Sequence, residues 1–600
     1  MKNCRGNNVP MKQVALETYR RALVSHFSFL KSAKTIQEAY LRAIPIETDG
    51  YLLPVCEVHL HDSDLIGKLT EWRNLNVEVY PTQFESTFNS THSWLDKNLL
   101  EVPDRILFLV VDNTGKVIGH LGFNGCLKED FMFEIDNVIR GVHGVAGGLF
   151  SKALKALMEW ARRSMNVNGF YLRVMDDNIK AINFYKRNKF EEDQLIPLVR
   201  ENNDEMISYR EANAGEAVTK HFLRMKYMPC SNPGESMILT AGPSISSREA
   251  AYSFDAAING WNSEWSKYLT KFETEFAKYV GAKYALATSS CTGALQIALM
   301  SLDIGPGDEV IVPDQTWVAT ANAVRYVGAI PIFADIELDT WNIDAASIET
   351  LVTPHTKAII AVHMYGHPAR MTNILNVAKK HKLKVVEDAA PAIGAEWRGQ
   401  RCGSFGDFAA FSFQGAKLLV TGEGGMLVTN DDALYEKAKK IWDQGRNPSK
   451  VFWIDADGVK FKMSNIQAAL GLGQLERADE LIEMKRRLFN WYEEGLSGVP
   501  HITLNKEVEG ARSIYWMSSL FLDEASPISR DDLMNHLKLR NIDTRPVFPA
   551  ISQYPIWPRK SIPQPNAMRV GLRAMNMPSG VCLTKDEVMY VCRNIAELVK

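Results

Sequence analysis

A single lysine interrupts an apolar run in FSFQGAKLLVTGEGG, residues 411 to 425. An ammonium buried there without a partner is costly, and a lysine so placed tends to lose its proton. The neutral amine of Lys417 would be a nucleophile able to form a Schiff base. Three other features supply complementary chemistry. Asp388 closes the apolar strand of VVEDAAPA, and ligands of open α/β sheets gather at the carboxyl ends of strands. ATSSCTGALQIAL starts a helix directly after a strand, with hydroxyls and free amides suited to a phosphate. Trp317, in VPDQTWVAT, follows another strand end.

Together these meet the needs of pyridoxal phosphate: an amine for its aldehyde, a carboxylate for its ring nitrogen, a helix start for its phosphate, and an aromatic face for its ring. Each feature alone is ordinary. Strand-end aspartates cap helices, serines start them, and most tryptophans are core. The order of the four carries the inference.

The elements that must position them are legible as patterns. After a Pro- and Gly-rich break at MPCSNPGESM, 228 to 237, strand and helix signals alternate: YALATSS, DEVIVPD, KAIIAVHMYG and KLKVVED, each followed by a helical stretch. Apolar strands alternating with helices predict a mostly parallel sheet covered on both faces. A smaller α+β lobe is expected from about 530. Before the break, Leu16, Tyr19, Leu23, Phe27 and Leu30 have helical spacing and predict a helical extension over residues 1–50. Residues 51–228 then read as strands (VCEVHL, ILFLVV, VIGHLGF, DFMFEID), a helix at 149 to 164, the strand GFYLRV and a helix at 180 to 187. The linker is 229–237 and the second domain 238–600.

The totals narrow the class. Six hundred residues exceed one hydrophobic core. With 46% hydrophobic and 23% charged residues, the chain reads as globular, and a net charge of −3 disfavours nucleic acid or a membrane surface as partner. The N-terminus lacks the apolar core of a secretory signal. The eight cysteines are scattered, without CxxC or Cys/His ligand spacing, which fits a reducing cytoplasm and predicts no disulfide. In HLHD, 59 to 62, two histidines on one strand face lack a third ligand, so no metal is assigned.

From about 237 onward the chain resembles the DegT/StrS family of nucleotide-sugar aminotransferases, of the fold-type-I pyridoxal phosphate group. KFETEFAKYVGAKYAL, SSCTGALQIAL, VIVPDQTWVATANAV, VHMYGHPARM, VVEDAAPAIGA, GSFGDFAAFSFQGAKLLVTGEGGM, KMSNIQAALGLGQLER and TRPVFP carry the likeness. It implies Lys417 as the Schiff-base lysine, Asp388 at the pyridine nitrogen and Trp317 stacked on the ring. Cys291, Thr292 and Ser412 would hold the phosphate, with Lys460 where the family often has asparagine. A homodimer whose neighbouring subunit completes the phosphate site is also implied. Pro391 stands where the family commonly has a side chain near the cofactor hydroxyl. Family members that dehydrate replace the lysine by histidine, so Lys417 favours transamination over dehydration. The resemblance implies glutamate as donor and a nucleotide-linked keto-deoxy sugar as acceptor; the motifs resemble the perosamine-type branch, hence a 4-keto-6-deoxy hexose.

NVIRGVHGVAGGLFSKALKALMEWA, residues 137 to 161, places a glycine-rich turn between a strand and a helix. With MDDNIKAINFYKRNKF, it makes residues 50 to 228 resemble the GNAT N-acetyltransferase fold. Acetyl-CoA would then lie with its pyrophosphate at Arg140 to Gly148, including Gly141, Gly144 and Gly147. Asn178 would lie near the pantetheine arm and Tyr185 near the thiolate as a general acid. The spacing from Arg140 to Gly144 is one residue longer than usual, and Lys189-Phe190 replaces Gly-Phe. Glu134 and Asp136 are candidates to accept the amine's proton, or are solvated strand-edge carboxylates. The expected whole is a fusion of an α/β acetyltransferase with a sugar aminotransferase that together make an N-acetylated deoxyamino sugar. The alternative is an aminotransferase alone, carrying a non-catalytic binding module.

Overall fold

The computed structural model describes residues 11–128, 131–142, 148–165, 167–203, 206–228, 233–557 and 564–600. The chain forms two compact units. One comprises Met1–Asn232 with Ile245–Ala251, the other Pro233–Ser244 with Tyr252–Lys600.

The first unit is built on a ten-stranded sheet. At its centre Met132–Arg140 lies between Val117–Asn124 and Gly169–Met175. Its pairing with Gly169–Met175 is parallel, because the helix Leu149–Met165 carries the chain across before the next strand forms. That pairing runs from Met132 opposite Gly169 to Ile135 opposite Leu172 and stops there. On the other side, Gly122 faces Asp136 while His120 faces Ile139, so the central strand carries an extra residue. Asn137 absorbs the bulge at φ 53°. The two parallel strands therefore part just where the backbone kinks.

The helix Met11–Lys31 buries Tyr19, Leu23, Phe27 and Leu30 in the same core as Phe108, Phe123, Phe133 and Phe170. The expected extension is thus part of that core. VCEVHL is not a strand. Glu57–His61 is a 3-10 turn. The His59 ring explains the difference: its Nδ1 accepts the Cys56 amide at 3.1 Å, giving the backbone a local partner in place of a ladder.

The second unit has a seven-stranded sheet in the order Tyr284–Thr288, Gly425–Thr429, Phe408–Ser412, Lys384–Asp388, Thr356–Val362, Glu309–Pro313, Ile330–Ala334. From Phe408–Ser412 to the far edge all pairs are parallel. Gly425–Thr429 returns antiparallel because a short loop, rather than a crossover helix, joins it to Phe408–Ser412. Alternation then sorts the side chains. Ala409 and Phe411 pack on Phe276 and Phe413 on one face, while Phe408 and Ala410 pack on Ile297 and Ala298 on the other. The smaller lobe begins earlier than 530. Its antiparallel sheet joins Ile502–Leu504, Ser519–Leu522, Ala574–Asn576 and Arg545–Pro546, packed near Ala478–Gly495 and Lys585–Val599.

Candidate active site

The parallel strands of the second unit deliver Asp388 and Ser412 at their carboxyl ends, and the helix Cys291–Ser301 starts just after Tyr284–Thr288. Gly425 lets these elements meet. A Cβ on it would lie 2.4 Å from the Ser290 carbonyl carbon and 2.5 Å from the Cys291 nitrogen, so only glycine lets the strand pass this helix start. The result is a cavity of about 410 Å³ lined by Cys291, Thr292, Trp317, Asp388, Ser412 and Lys417. Six residues singled out from separate stretches of sequence line one cavity.

Asp388 is 6% exposed and held from three sides. Thr320 Oγ1 donates to its Oδ2 at 2.8 Å, the Ala390 amide to Oδ1 at 3.2 Å, and the Cys291 thiol to Oδ1 at 3.8 Å. Burial pushes the Cys291 thiol well up, and the Asp388 charge adds to that, so it remains a neutral donor. Among the described residues Lys417 makes no ion pair shorter than 4 Å. Its Nζ sits 3.8 Å from the centre of the Trp516 ring, whose Nε1 donates to Ala416 O at 2.7 Å. Burial pulls the Lys417 ammonium down to about 8, against the opposing pull of Asp388 and Cys291.

Thr320, Trp516 and Phe548 also line this cavity and were not singled out from the sequence. Thr320 had a signal, in the first turn of the helix Ala319–Tyr326 that follows Trp317. Trp516 had none; Phe548 lies in TRPVFP, one of the segments that carry the likeness, and sits against Trp317 with ring centres 5.7 Å apart. Pro391 lines the cavity without a donor. Lys460 does not line it; it is exposed, on a segment bridged to Asp443. An unpaired amine, a fixed carboxylate, two hydroxyls and a helix start whose Ser290 cap takes up the Gly293 amide at 3.1 Å fit the groups of pyridoxal phosphate.

In the first unit the expected residues are less gathered. Glu134 is 5% exposed and bound to Arg173, Nε at 2.7 Å and Nη2 at 3.2 Å, and so is not a solvated strand-edge carboxylate. Tyr185 is buried beside Phe184 and Phe190, and burial pushes its hydroxyl well up, so it stays protonated. Asn178 caps the helix Ile179–Arg187, its Oδ1 accepting the Ala181 amide at 3.1 Å. The Gly141 amide is not free for a pyrophosphate, because it donates to Ile118 O at 3.0 Å. Glycine is needed there for another reason: a Cβ would fall 1.9 Å from the Trp72 indole. Arg140 is exposed and its Nε donates to Val142 O. Gly144 and Gly147 lie outside the described residues.

Residues 243–596, more than half the chain, match the model of the DegT/DnrJ/EryC1/StrS aminotransferase family. The chain belongs to that family. Ahead of this stretch, residues 69–190 match the Acetyltransferase (GNAT) family. The aminotransferase part is similar to the GDP-perosamine synthase of Escherichia coli O157:H7, 39% identical over 62% of this chain and 99% of the relative. That of Caulobacter vibrioides is 40% identical over 58% and 95%. The aminotransferase TlmJ from Streptoalloteichus hindustanus superposes with a TM-score of 0.57 at 28% identity, over 60% of this chain and 98% of that one. The protein is therefore an enzyme of a pyridoxal phosphate-dependent sugar aminotransferase family with a GNAT domain before it. Among the described residues no helix is long and apolar enough to cross a membrane, and no group of three metal-ligating side chains occurs.

Proposed function

We propose that the second unit transfers an amino group from glutamate to the C4 keto group of a nucleotide-linked 6-deoxy hexose, and that the first unit acetylates the resulting amine from acetyl-CoA. The observation that carries the first step is the placing of Lys417 and Asp388 in one cavity with the helix start. Similarity to GDP-perosamine synthases supports the sugar and favours GDP as its carrier.

When bound, pyridoxal 5'-phosphate supplies an aldehyde for the amine and a ring that takes up an electron pair. Asp388 keeps a proton at the ring nitrogen, and Thr320 and the Ala390 amide keep Asp388 in place. Thr292, Ser412 and the Cys291 amide would hold the phosphate. Lys417 Nζ, brought down to about 8 by burial, is poised to take and return a proton near neutral pH. Trp317, Trp516 and Phe548 would flank the cofactor ring. The chain acts as a cytoplasmic homodimer, in which exposed Lys460 serves the phosphate site of the other copy.

A second reading keeps the aminotransferase and makes the first unit a binding module. The occupied Gly141 amide favours it. One incubation separates the two: the purified chain with pyridoxal phosphate, glutamate, acetyl-CoA and a panel of nucleotide keto-sugars, read by mass spectrometry. An acetamido sugar is expected. A free amine as end product would select the binding module, and an unchanged keto sugar throughout would overturn the transamination itself.

A further inference from the structure

A second cavity, about 400 Å³, lies wholly within the first unit. It has the size and mixture of surfaces of a small-molecule site: the rings of Tyr80, Phe84 and Trp94, and a few converging polar groups. Two of those groups flank the bulge of the central strand. Asp136 sits where the two parallel strands part, and His120 sits opposite, on the neighbouring strand.

The His120 ring is oriented by its surroundings. Nδ1 lies 2.7 Å from Asn137 O, and a carbonyl oxygen only accepts, so Nδ1 carries the proton. Nε2 is left with a lone pair. Burial pulls the imidazolium down to about 4, against the Asn137 carbonyl and the Asp136 charge, so the ring is neutral at working pH. Asp136 Oδ2 accepts from Arg105 at 3.0 Å and from Asn137 Nδ2 at 2.7 Å, which fixes its carboxylate at the cavity wall. Arg105 in turn lies over the Trp94 ring, 5.3 Å from its centre. Glu134, one turn of the strand pleat away, is taken up by Arg173 and has no access to this space.

We propose that this cavity is the acceptor site of the first unit, taking the amine of an amino sugar, with Asp136 receiving its ammonium and His120 Nε2 removing the proton. The carboxylate suits the amine the sugar carries, while Arg73, over the Tyr80 and Phe84 rings, and Arg105, over the Trp94 ring, line the same space with donors for its hydroxyls. The nitrogen lone pair forms a C–N bond to the carbonyl carbon of the acyl thioester, and the C–S bond breaks. The thiolate leaves with the electron pair, and the proton from nitrogen passes through His120 Nε2 to solvent without resting on the buried ring. The assignment rests on the acetylation proposed above.

The test uses the full chain, acetyl-CoA and GDP-perosamine, with thiol release as the readout. In H120Q, kcat/KM at pH 7 is expected to fall about 100-fold. The deficit should shrink to under about tenfold above pH 9, where the amine loses its proton unaided. D136N should raise KM for the amine at least about tenfold with a smaller change in kcat. Calorimetric binding of acetyl-CoA, and transamination by the second unit, should be retained in both variants. Variants within about threefold of the parent at every pH, while the parent transfers acetyl, would overturn the His120 and Asp136 assignment and leave acetylation standing. A loss in H120Q that stays constant from pH 6 to pH 9.5 would also overturn it. Should H120Q lose acetyl-CoA binding, D136N decides: an unchanged KM refutes the site. A parent chain that binds acetyl-CoA yet never acetylates GDP-perosamine would instead overturn the acetylation reading.

Discussion

Thr320→Val isolates the hold on Asp388 without touching the reacting groups. Thr320 is 1% exposed, and its hydroxyl donates to Asp388 Oδ2 at 2.8 Å. Valine has nearly the same shape and no donor. A hydrogen bond to a charged group contributes about 1.5–3 kcal/mol, and leaving the carboxylate short of a donor loses most of it. At about 1.4 kcal/mol per factor of ten, the expected fall in transamination kcat/KM is about 10- to 100-fold. The same variant should release its cofactor faster on gel filtration, since the carboxylate that faces the ring nitrogen is less well fixed. Thr320→Ser keeps the donor and should recover most of both. A Thr320→Val enzyme with parental kcat/KM and cofactor retention would refute the role given to this bond, and with it the claim that Asp388 works as a held carboxylate.

Lys417 should stand out in pH-resolved labelling. In the apoprotein its half-maximal acylation by a soluble anhydride, read by peptide mass spectrometry, is expected near pH 8, against about 10.5 for ordinary lysines. The linkage sign follows: the unfolded chain binds the proton that the folded chain releases between those values, so apoprotein stability rises with pH across that window relative to Lys417→Met. Gly425→Ala forces a methyl against Ser290 and Cys291, and should cost about 1–3 kcal/mol by denaturant unfolding while weakening cofactor binding. Glu134→Gln breaks the pair with Arg173; it should lower the thermal midpoint of the first unit, yet change acetyl transfer by less than about tenfold.

What the sequence revealed of the site follows from register. Asp388, Ser412 and the helix start at Cys291 each lie at the end of an apolar run, and a parallel sheet puts all such ends on one side. Their meeting could therefore be inferred from three separate strings of residues. Trp516 could not, because nothing local says that a distant stretch of chain closes on Lys417, and TRPVFP marked Phe548 without saying that its ring meets Trp317. Residues 55 to 60 misled for a different reason: the alternation suits a strand, but a histidine that bonds the backbone three residues back makes a turn the better solution. Gly141 misled because a glycine required by an indole ring looks, in sequence, like one required by a phosphate. The acceptor cavity was invisible because it depends on a bulge, and a single extra residue in a strand leaves no periodic trace.

The loop that carries Lys417 is pinned along its length. The Phe413 amide bonds Gly424 O, Gly415 bonds Gly422 O, Lys417 bonds Gln414 O, and Thr421 bonds Phe413 O. From outside, Gln474 Oε1 accepts the Val420 amide and Trp516 reaches Ala416 O. A backbone so fastened cannot travel with its cargo. The amine moves only as a crane arm on a welded post, its reach set by four methylenes and its arc bounded by the Trp516 ring at rest. A longer or shorter arm would therefore miss its delivery points: replacing the lysine by a homologue, even one carrying the same amine, changes the radius of the crane while the post stays where it is.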